Sequence, residues 1–278
     1  MYTSIPHKEP KQELVWVISQ CFNNESRKFI RIGKASARWS SSRGKTKSHC
    51  WNKDELIKHM KWLIDNIYVV CGDSMFKQKI GIPMGTDCAP FLANLFLFAY
   101  EYKWLKQRME NKEFDILKKF KFCFRYIDDL LCMNNDQLMD DVMSDIYPKE
   151  LSLTSDDAVL QTHYLDLDLE IRNGTLHSKL FDKRDAFGFS TVNFPDLSGN
   201  IPAKHSYGVF VSQLIRYARC CMDVNDFISR TKRLVKRLVN QGFKPHCLRQ
   251  VFEKFAMKHV ELLFKYNYSI NEICDSCC

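Results

Sequence analysis

The sequence feature that most constrains the fold is the stretch from Phe124 to Met133, in which Asp128 and Asp129 interrupt two apolar runs. Such a pattern is typical of a β-hairpin with a polar turn, and strands this apolar are expected to be covered on at least one face. Asp is a common turn residue, so a plain turn is one interpretation. The other is a binding site for Mg²⁺, an ion that commonly binds one or two carboxylates together with substrate phosphates.

Composition limits the kinds of protein that fit. A chain of 278 residues is long enough for one large or two modest domains. The net charge of +8, from 41 Lys and Arg against 33 Asp and Glu, favours a polyanionic partner. The twelve cysteines follow no regular framework. With no signal peptide at the N-terminus and no apolar run of membrane-spanning length, we expect an intracellular protein, nuclear or cytoplasmic, with no membrane partner.

Apolar periodicity predicts a mixed α+β fold. Helical spacing predicts helices at residues 11–22, 54–66, 91–109, 136–146, 204–221, 223–241 and 246–264. Hairpins are predicted around Gly72-Asp73 and Asn173-Gly174, and a short strand at residues 151–154. In residues 165–171, Leu and Ile alternate with acidic residues, which predicts a strand with its apolar side chains on one face and its acidic side chains on the other. The basic segment 31–47 is predicted to be a loop, with contact to nucleic acid as the alternative.

A second informative stretch is Gln78–Pro90, which has the sequence QKIGIPMGTDCAP. Gly81 and Gly85 lie on either side of Pro83, and together they give a backbone that can closely approach a planar or phosphorylated group. The plainer interpretation is a tight turn that leads from a strand into a helix. Under both interpretations a long apolar helix follows directly.

Taken in order, these stretches resemble a reverse transcriptase, and more narrowly that of a Penelope-like retroelement, a retrotransposon. Gln78–Pro90 matches motif B of that family, and Tyr126–Asp129 matches motif C, which in the family carries two aspartates of the polymerase active site. The stretch from Tyr164 to Lys183 is similar to the region of the primer grip. Residues 199–219 are similar to the junction into the thumb. The resemblance covers nearly all of the chain before its cysteine-containing tail.

The resemblance implies an architecture and an activity. It implies an α+β reverse-transcriptase palm, an antiparallel sheet with helices, at residues 1–198, without the fingers and the first half of motif A. An all-helical thumb at 199–264 and a tail at 265–278 follow. The implied activity is that of an RNA-directed DNA polymerase, a nucleotidyltransferase that uses two Mg²⁺ ions for phosphoryl transfer. Its partners would be an RNA template, a DNA primer and deoxynucleoside triphosphates.

The family's residue roles carry over to matching positions of this sequence. The implied catalytic residues and Mg²⁺ ligands are Asp128 and Asp129. The implied contacts to nucleotide and template are Tyr2, Gln78, Gly81, Pro83 and Gly85. The implied contacts to the primer are Tyr126, Lys183, Arg216 and Arg219.

The beginning of the chain departs from the family pattern. Met1–His7 resembles the second half of motif A, whose aspartate falls four residues before Met1, and on this alignment Tyr2 takes the steric-gate position. Because that aspartate bridges both metal ions in the family, we expect polymerase activity of this chain to be very low or absent. One alternative is a non-catalytic nucleic-acid-binding remnant that uses the basic thumb. Another is a metal-binding module built on the Cys274–Cys278 tail.

Overall fold

A computed structural model describes residues 5–33, 36–44, 49–82, 85–134, 138–151, 154, 160–189 and 193–277. The chain is a mixed α+β protein with small antiparallel sheets, which confirms the predicted class. It divides into two compact units, Met1–Ala158 and Val159–Cys278. The boundary at residue 198 rests on the resemblance to the family, whereas the two units are separated by their internal contacts. The boundary at residue 198 therefore stays a prediction.

The first unit combines five helices with three small β elements in its described part. Its helices are α1 (Lys8–Cys21), α2 (Lys53–Asp65), α3 (Ala89–Glu110), α4 (Phe114–Lys119) and α5 (Leu138–Ile146). Its strands are β1 (Phe29–Ile32), β2 (Ala37–Ser40), β3 (Cys50–Asn52), β4 (Tyr68–Cys71), β5 (Ser74–Lys77), β6 (Cys123–Tyr126) and β7 (Asp129–Cys132). Strands β2, β1 and β3 form one antiparallel sheet, and β4–β5 and β6–β7 are antiparallel hairpins.

Helix α3 runs through the core of the first unit. Its early residues are apolar on most sides, and Phe96 is fully buried in the same cluster as Leu14 of α1. Polar contacts add to this packing, since Lys103 Nζ lies 2.5 Å from Glu13 Oε2 on α1. A helix fixed along its length in this way is a rigid support for any side chain that it directs toward a neighbouring element.

The segment at residues 31–47 corrects one prediction. Its described part is not wholly a loop, because β1 and β2 pair in register from Phe29 with Ser40 to Ile32 with Ala37. Trp39 stabilises this hairpin through an edge-on contact with Phe22, at 4.9 Å between ring centroids. The many cations of the segment suggested a solvated loop, whereas its aromatic and β-branched residues determine the pairing. The strand predicted at 151–154 falls largely outside the described residues.

The second unit packs a three-stranded sheet with helices. The strands are β8 (Gln161–Tyr164), β9 (Leu167–Arg172) and β10 (Thr175–Leu180), in the order β10-β9-β8. The helices are α6 (Ala203–Ser206), α7 (Gly208–Cys220), α8 (Val224–Asn240), α9 (Pro245–Lys258), α10 (Val260–Leu263) and α11 (Ile270–Cys277). Leu180 of β10 shares one core with Phe210, Phe227 and Phe252 of the helices. Within the described residues, none of the helices of the chain combines the length and apolar character that a membrane span requires.

The strand predicted at residues 165–171 begins only at Leu167, and burial along it does not follow the alternation of apolar and acidic residues. Leu165 lies in the turn before β9 and is exposed, Ile171 is exposed as well, and Asp168 is only 8% exposed. Burial by itself raises the pKa of Asp168, but hydrogen bonds from Gln161 and Lys179 outweigh it and hold that pKa below its ordinary value. A buried carboxylate with two donors is tolerated because its charge is compensated.

Candidate functional site

The predicted β6–β7 hairpin is present, but only Asp128 lies in its turn, because Asp129 is the first residue of β7. Tyr126 pairs with Asp129, so Ile127 and Asp128 form the turn, and both aspartates are exposed. Within the described residues, no group of three or more His, Cys, Asp or Glu side chains is placed to hold a metal ion. Two exposed carboxylates fit Mg²⁺ when phosphate oxygens and water complete its ligands, because Mg²⁺ is commonly bound in this way.

The turn of this hairpin is conformationally costly. Ile127 has a φ of 55°, in the left-handed region that a β-branched residue seldom adopts. A residue held there costs on the order of 1–3 kcal/mol and persists only where its surroundings determine it. Part of that support is apolar, since Ile127 packs against the buried cluster of the first unit. The rest is polar and comes from α3.

Asn94 of α3 connects the helix directly to the turn. Its Oδ1 accepts a hydrogen bond from the backbone N–H of Ile127 at 3.1 Å and another from Arg125 Nη1 at 2.7 Å. Arg125 Nη1 also donates to the carbonyl oxygen of Ile127 at 3.2 Å. Both backbone polar groups of the strained residue therefore have partners, which ties its peptide units to α3.

Glu101 holds the arginine in place from about two helical turns further along α3. Arg125 donates to its carboxylate through Nε at 2.5 Å and through Nη2 at 3.1 Å, and Tyr147 Oη donates to the same carboxylate at 2.5 Å. This arginine–carboxylate pair is largely buried, where charge-assisted hydrogen bonds are strongest. We call Asn94, Glu101, Arg125 and Tyr147 the turn clamp.

The turn clamp is absent from the sequence-based expectations, although part of its signal is present in the sequence. Asn94 and Glu101 are polar residues on one face of a helix whose first half is otherwise apolar. Arg125 interrupts an apolar strand immediately before the aspartates. What the sequence lacks is the pairing, since Asn94 and Ile127 are 33 residues apart.

The described residues of the predicted nucleotide-binding stretch that precede α3 belong to no named helix or strand. The side-chain amide of Gln78 donates to the carbonyl oxygens of Ile80 at 2.9 Å and Gly81 at 3.3 Å, so it shapes the loop itself. Gly85 has a φ of 90° with open space around it, so it is the backbone conformation that favours glycine there. The predicted contacts Tyr2 and Pro83 lie outside the described residues.

The predicted primer contacts fall in both units. Tyr126 belongs to the first unit and is exposed beside the aspartates. In the second unit, Lys183 and Arg219 are exposed. Arg216 instead forms a bidentate ion pair with Asp166, at 2.9 Å from Nε and 2.7 Å from Nη2. A phosphate would have to compete with that carboxylate, so Arg216 is the least available of the three cations in the second unit.

The two described cysteines of the tail lie inside the core of the second unit. Cys274 and Cys277 are buried on α11 and belong to the same cluster as Phe252 and Leu248. Cysteines in such surroundings act as small apolar side chains. This placement gives no support to a zinc module, and the described residues contain no cluster of ligands that would complete one.

Alkylation of the native protein is expected to separate the cysteines into two classes. Cys21 and Cys71 are exposed, whereas Cys220 and Cys221 are buried and burial raises the pKa of both thiols. Because the thiolate is the reactive form, we expect Cys21 and Cys71 to react at least about tenfold faster with iodoacetamide. Timed labelling with peptide mapping measures the rates, and labelling in denaturant is the control. Equal native rates at Cys71 and Cys221 would contradict the described burial.

Comparison with known proteins gives no family from which a function could be transferred to this chain. The chain matches no protein-family model, no curated protein and no solved structure. The functional case therefore rests on two exposed carboxylates, the clamped turn that carries them and the loop that precedes α3.

Proposed function

We propose that this chain is the polymerising region of a reverse transcriptase from a Penelope-like retroelement. The observation that supports this proposal most directly is the hydrogen bond from the backbone N–H of Ile127 to Asn94 Oδ1. Helix α3 directly follows the stretch that resembles motif B, and the turn belongs to the stretch that resembles motif C. Ile82 and Cys88 of the first stretch and Ile127 of the second also belong to one hydrophobic cluster. This supports a shared function more strongly than either motif does alone.

In this proposal Asp128 and Asp129 hold Mg²⁺ together with the phosphates of a deoxynucleoside triphosphate. Mg²⁺ held by these carboxylates would supply positive charge to neutralise the transferred phosphoryl group. The turn clamp fixes the direction of the carboxylates. Gln78, Gly81 and Gly85 contribute to the surface under the incoming nucleotide, and Tyr126 lies beside the end of the DNA primer on its RNA template.

A second candidate function is nucleic-acid binding without catalysis. Helix α8 carries four exposed cations spaced so that they share one side of the helix. These cations are Lys232, Arg233, Lys236 and Arg237. Such a surface attracts the phosphate backbone without reading sequence. Catalysis by the palm-like residues 1–198 and nucleic-acid binding by the thumb-like residues 199–264 can therefore be tested separately.

Primer extension by this chain distinguishes the two functions. A DNA primer annealed to RNA is incubated with the protein, deoxynucleoside triphosphates and Mg²⁺ or Mn²⁺. Template-directed extension, even at the very low rate expected of this chain, supports the polymerase proposal, whereas robust extension contradicts that expected rate. Binding that weakens steeply with salt, without extension, selects the second function. A chain that neither binds nor extends the primer–template contradicts both.

Removing two cations from α8 is expected to change the salt dependence of binding. If Lys232 and Lys236 each contact one phosphate, changing both to alanine lowers the slope of log affinity against log salt by about 1.8 for a duplex. Fluorescence anisotropy from about 50 to 200 mM salt measures that slope. Lys254→Ala changes an exposed lysine of α9, next to Glu253, and serves as the control. An unchanged slope in the double variant would exclude α8 as the phosphate-binding surface.

A further inference from the structure

Two stacked phenylalanine rings are exposed in the second unit. Phe187 and Phe189 lie with their ring centroids 5.2 Å apart and their planes inclined by 7°. Phe187 is 47% exposed and Phe189 is 69% exposed. Large aromatic side chains are normally among the most buried residues of a domain. Neither of the proposed functions yet uses this pair.

The chain on either side of the rings is anchored to α8. Before them, Asp185 forms ion pairs with Arg230 and Arg233. After them, the carbonyl oxygen of Phe194 accepts a hydrogen bond from Gln241 Nε2 at 3.2 Å. The described residues on both sides of positions 190–192 are therefore held at α8 or at the residue that follows it. Since a residue spans at most about 3.5 Å, Phe189 lies within about 14 Å of Asp185 along the chain.

The pairing of Asp185 with Arg233 keeps the two rings within a few residues of the basic side of α8. The exposed cations Lys232, Arg233, Lys236 and Arg237 lie between the two anchor points or next to them. The guanidinium of Arg237 also lies 6.0 Å from the ring of Phe194. Cations alone would attract any polyanion, and exposed rings alone would attract any apolar group. A nucleic-acid strand with unpaired bases offers both kinds of partner in every repeat.

We propose that Phe189, supported by Phe187, stacks on an unpaired base of a strand whose phosphates lie along α8. The parallel ring of Phe187 restricts the orientation of Phe189, so less side-chain freedom is lost when the base binds. Because every base has a flat face, binding shows little sequence preference. This inference rests on the proposed nucleic-acid binding and adds the class of strand, single-stranded DNA or RNA.

Changing Phe189 to leucine tests the stacking directly. Leucine keeps an apolar side chain but removes the flat face. Affinity for a short single-stranded oligonucleotide is expected to fall about tenfold, equivalent to about 1.4 kcal/mol. Affinity for a duplex of the same sequence, and the salt slope, should stay unchanged because no phosphate contact is lost. Phe264→Leu changes an exposed phenylalanine of the same unit, which is 78% exposed, and is the matched control.

An oligonucleotide with abasic sites separates stacking from general packing. It should bind the wild-type protein and the Phe189→Leu variant equally, since it offers no base. A variant that binds the normal single strand as tightly as wild type overturns the stacking, while loss of binding after changing Lys232 and Lys236 still supports the nucleic-acid function. Equal losses for single strand and duplex also overturn it. A wild-type protein that binds no nucleic acid overturns both proposals.

Discussion

Asp128→Asn is expected to weaken Mn²⁺ binding at the β6–β7 turn by on the order of 100-fold. Mn²⁺ replaces Mg²⁺ here because its free concentration can be followed by electron paramagnetic resonance. Asparagine keeps one oxygen in place but removes the negative charge, and charge is what holds a hard divalent cation. The titration is made with a deoxynucleoside triphosphate present, since its phosphates complete the ligands. Where primer extension is measured, its rate should fall by a similar factor.

The β4–β5 hairpin supplies a matched control for this experiment. Asp73 is also an exposed aspartate at the turn of an antiparallel hairpin in the first unit. Asp73→Asn removes the same charge from the same kind of position, so Mn²⁺ binding should remain within about twofold of the wild-type value. If Asp128→Asn and Asp73→Asn behave alike, the turn of β6–β7 is an ordinary polar turn. That result would contradict the proposed metal site.

The features that the sequence could predict are those determined by neighbouring residues. Gly72 and the Asn173-Gly174 pair have positive φ values, and each lies in the hairpin turn that its residue type predicts. The β6–β7 hairpin follows equally from two apolar runs and a polar break. In these places local conformational preference and tertiary structure agree, so a short stretch of sequence is sufficient.

The features that the local pattern did not predict depend on the pairing between strands. The burial of Asp168 depends on Lys179 of the paired strand β10, whose ammonium lies 3.2 Å from its carboxylate. Strand β1 is paired on its other edge by β3, which places Arg31 opposite Cys50. Alternation and local charge carry no information about such partners. Tertiary contacts therefore overrode the local pattern in both places.

The candidate site also combines a part that the sequence predicts with a part that it does not. Its acids are adjacent residues and could be found from the sequence, whereas the turn clamp joins elements from three parts of the chain. Arg125 contacts Asn94 across 31 residues, and Tyr147 contacts Glu101 across 46. A single sequence shows that these polar residues lie among apolar ones, but it does not show which of them meet.

Asn94→Leu is expected to weaken Mn²⁺ binding at the turn by about 10- to 100-fold, although Asn94 carries no proposed metal contact. Leucine offers no acceptor, so the N–H of Ile127 and one N–H of Arg125 lose a partner, and each loss costs about 1–3 kcal/mol. Without that support the left-handed conformation of Ile127 relaxes and the carboxylates turn away. We also expect the free energy of unfolding to fall by about 2 kcal/mol in denaturant titration.

Two further variants distinguish control of the turn from simple structural support. Asn94→Asp keeps an oxygen acceptor for both donors and should retain Mn²⁺ affinity within about threefold. Ile127→Gly removes the conformational cost, because glycine adopts a positive φ readily. If Asn94 acts by holding that conformation, Asn94→Leu should cost much less affinity in the Ile127→Gly background than in the wild type. Equal losses in both backgrounds would mean that Asn94 supports the hairpin without determining the shape of its turn.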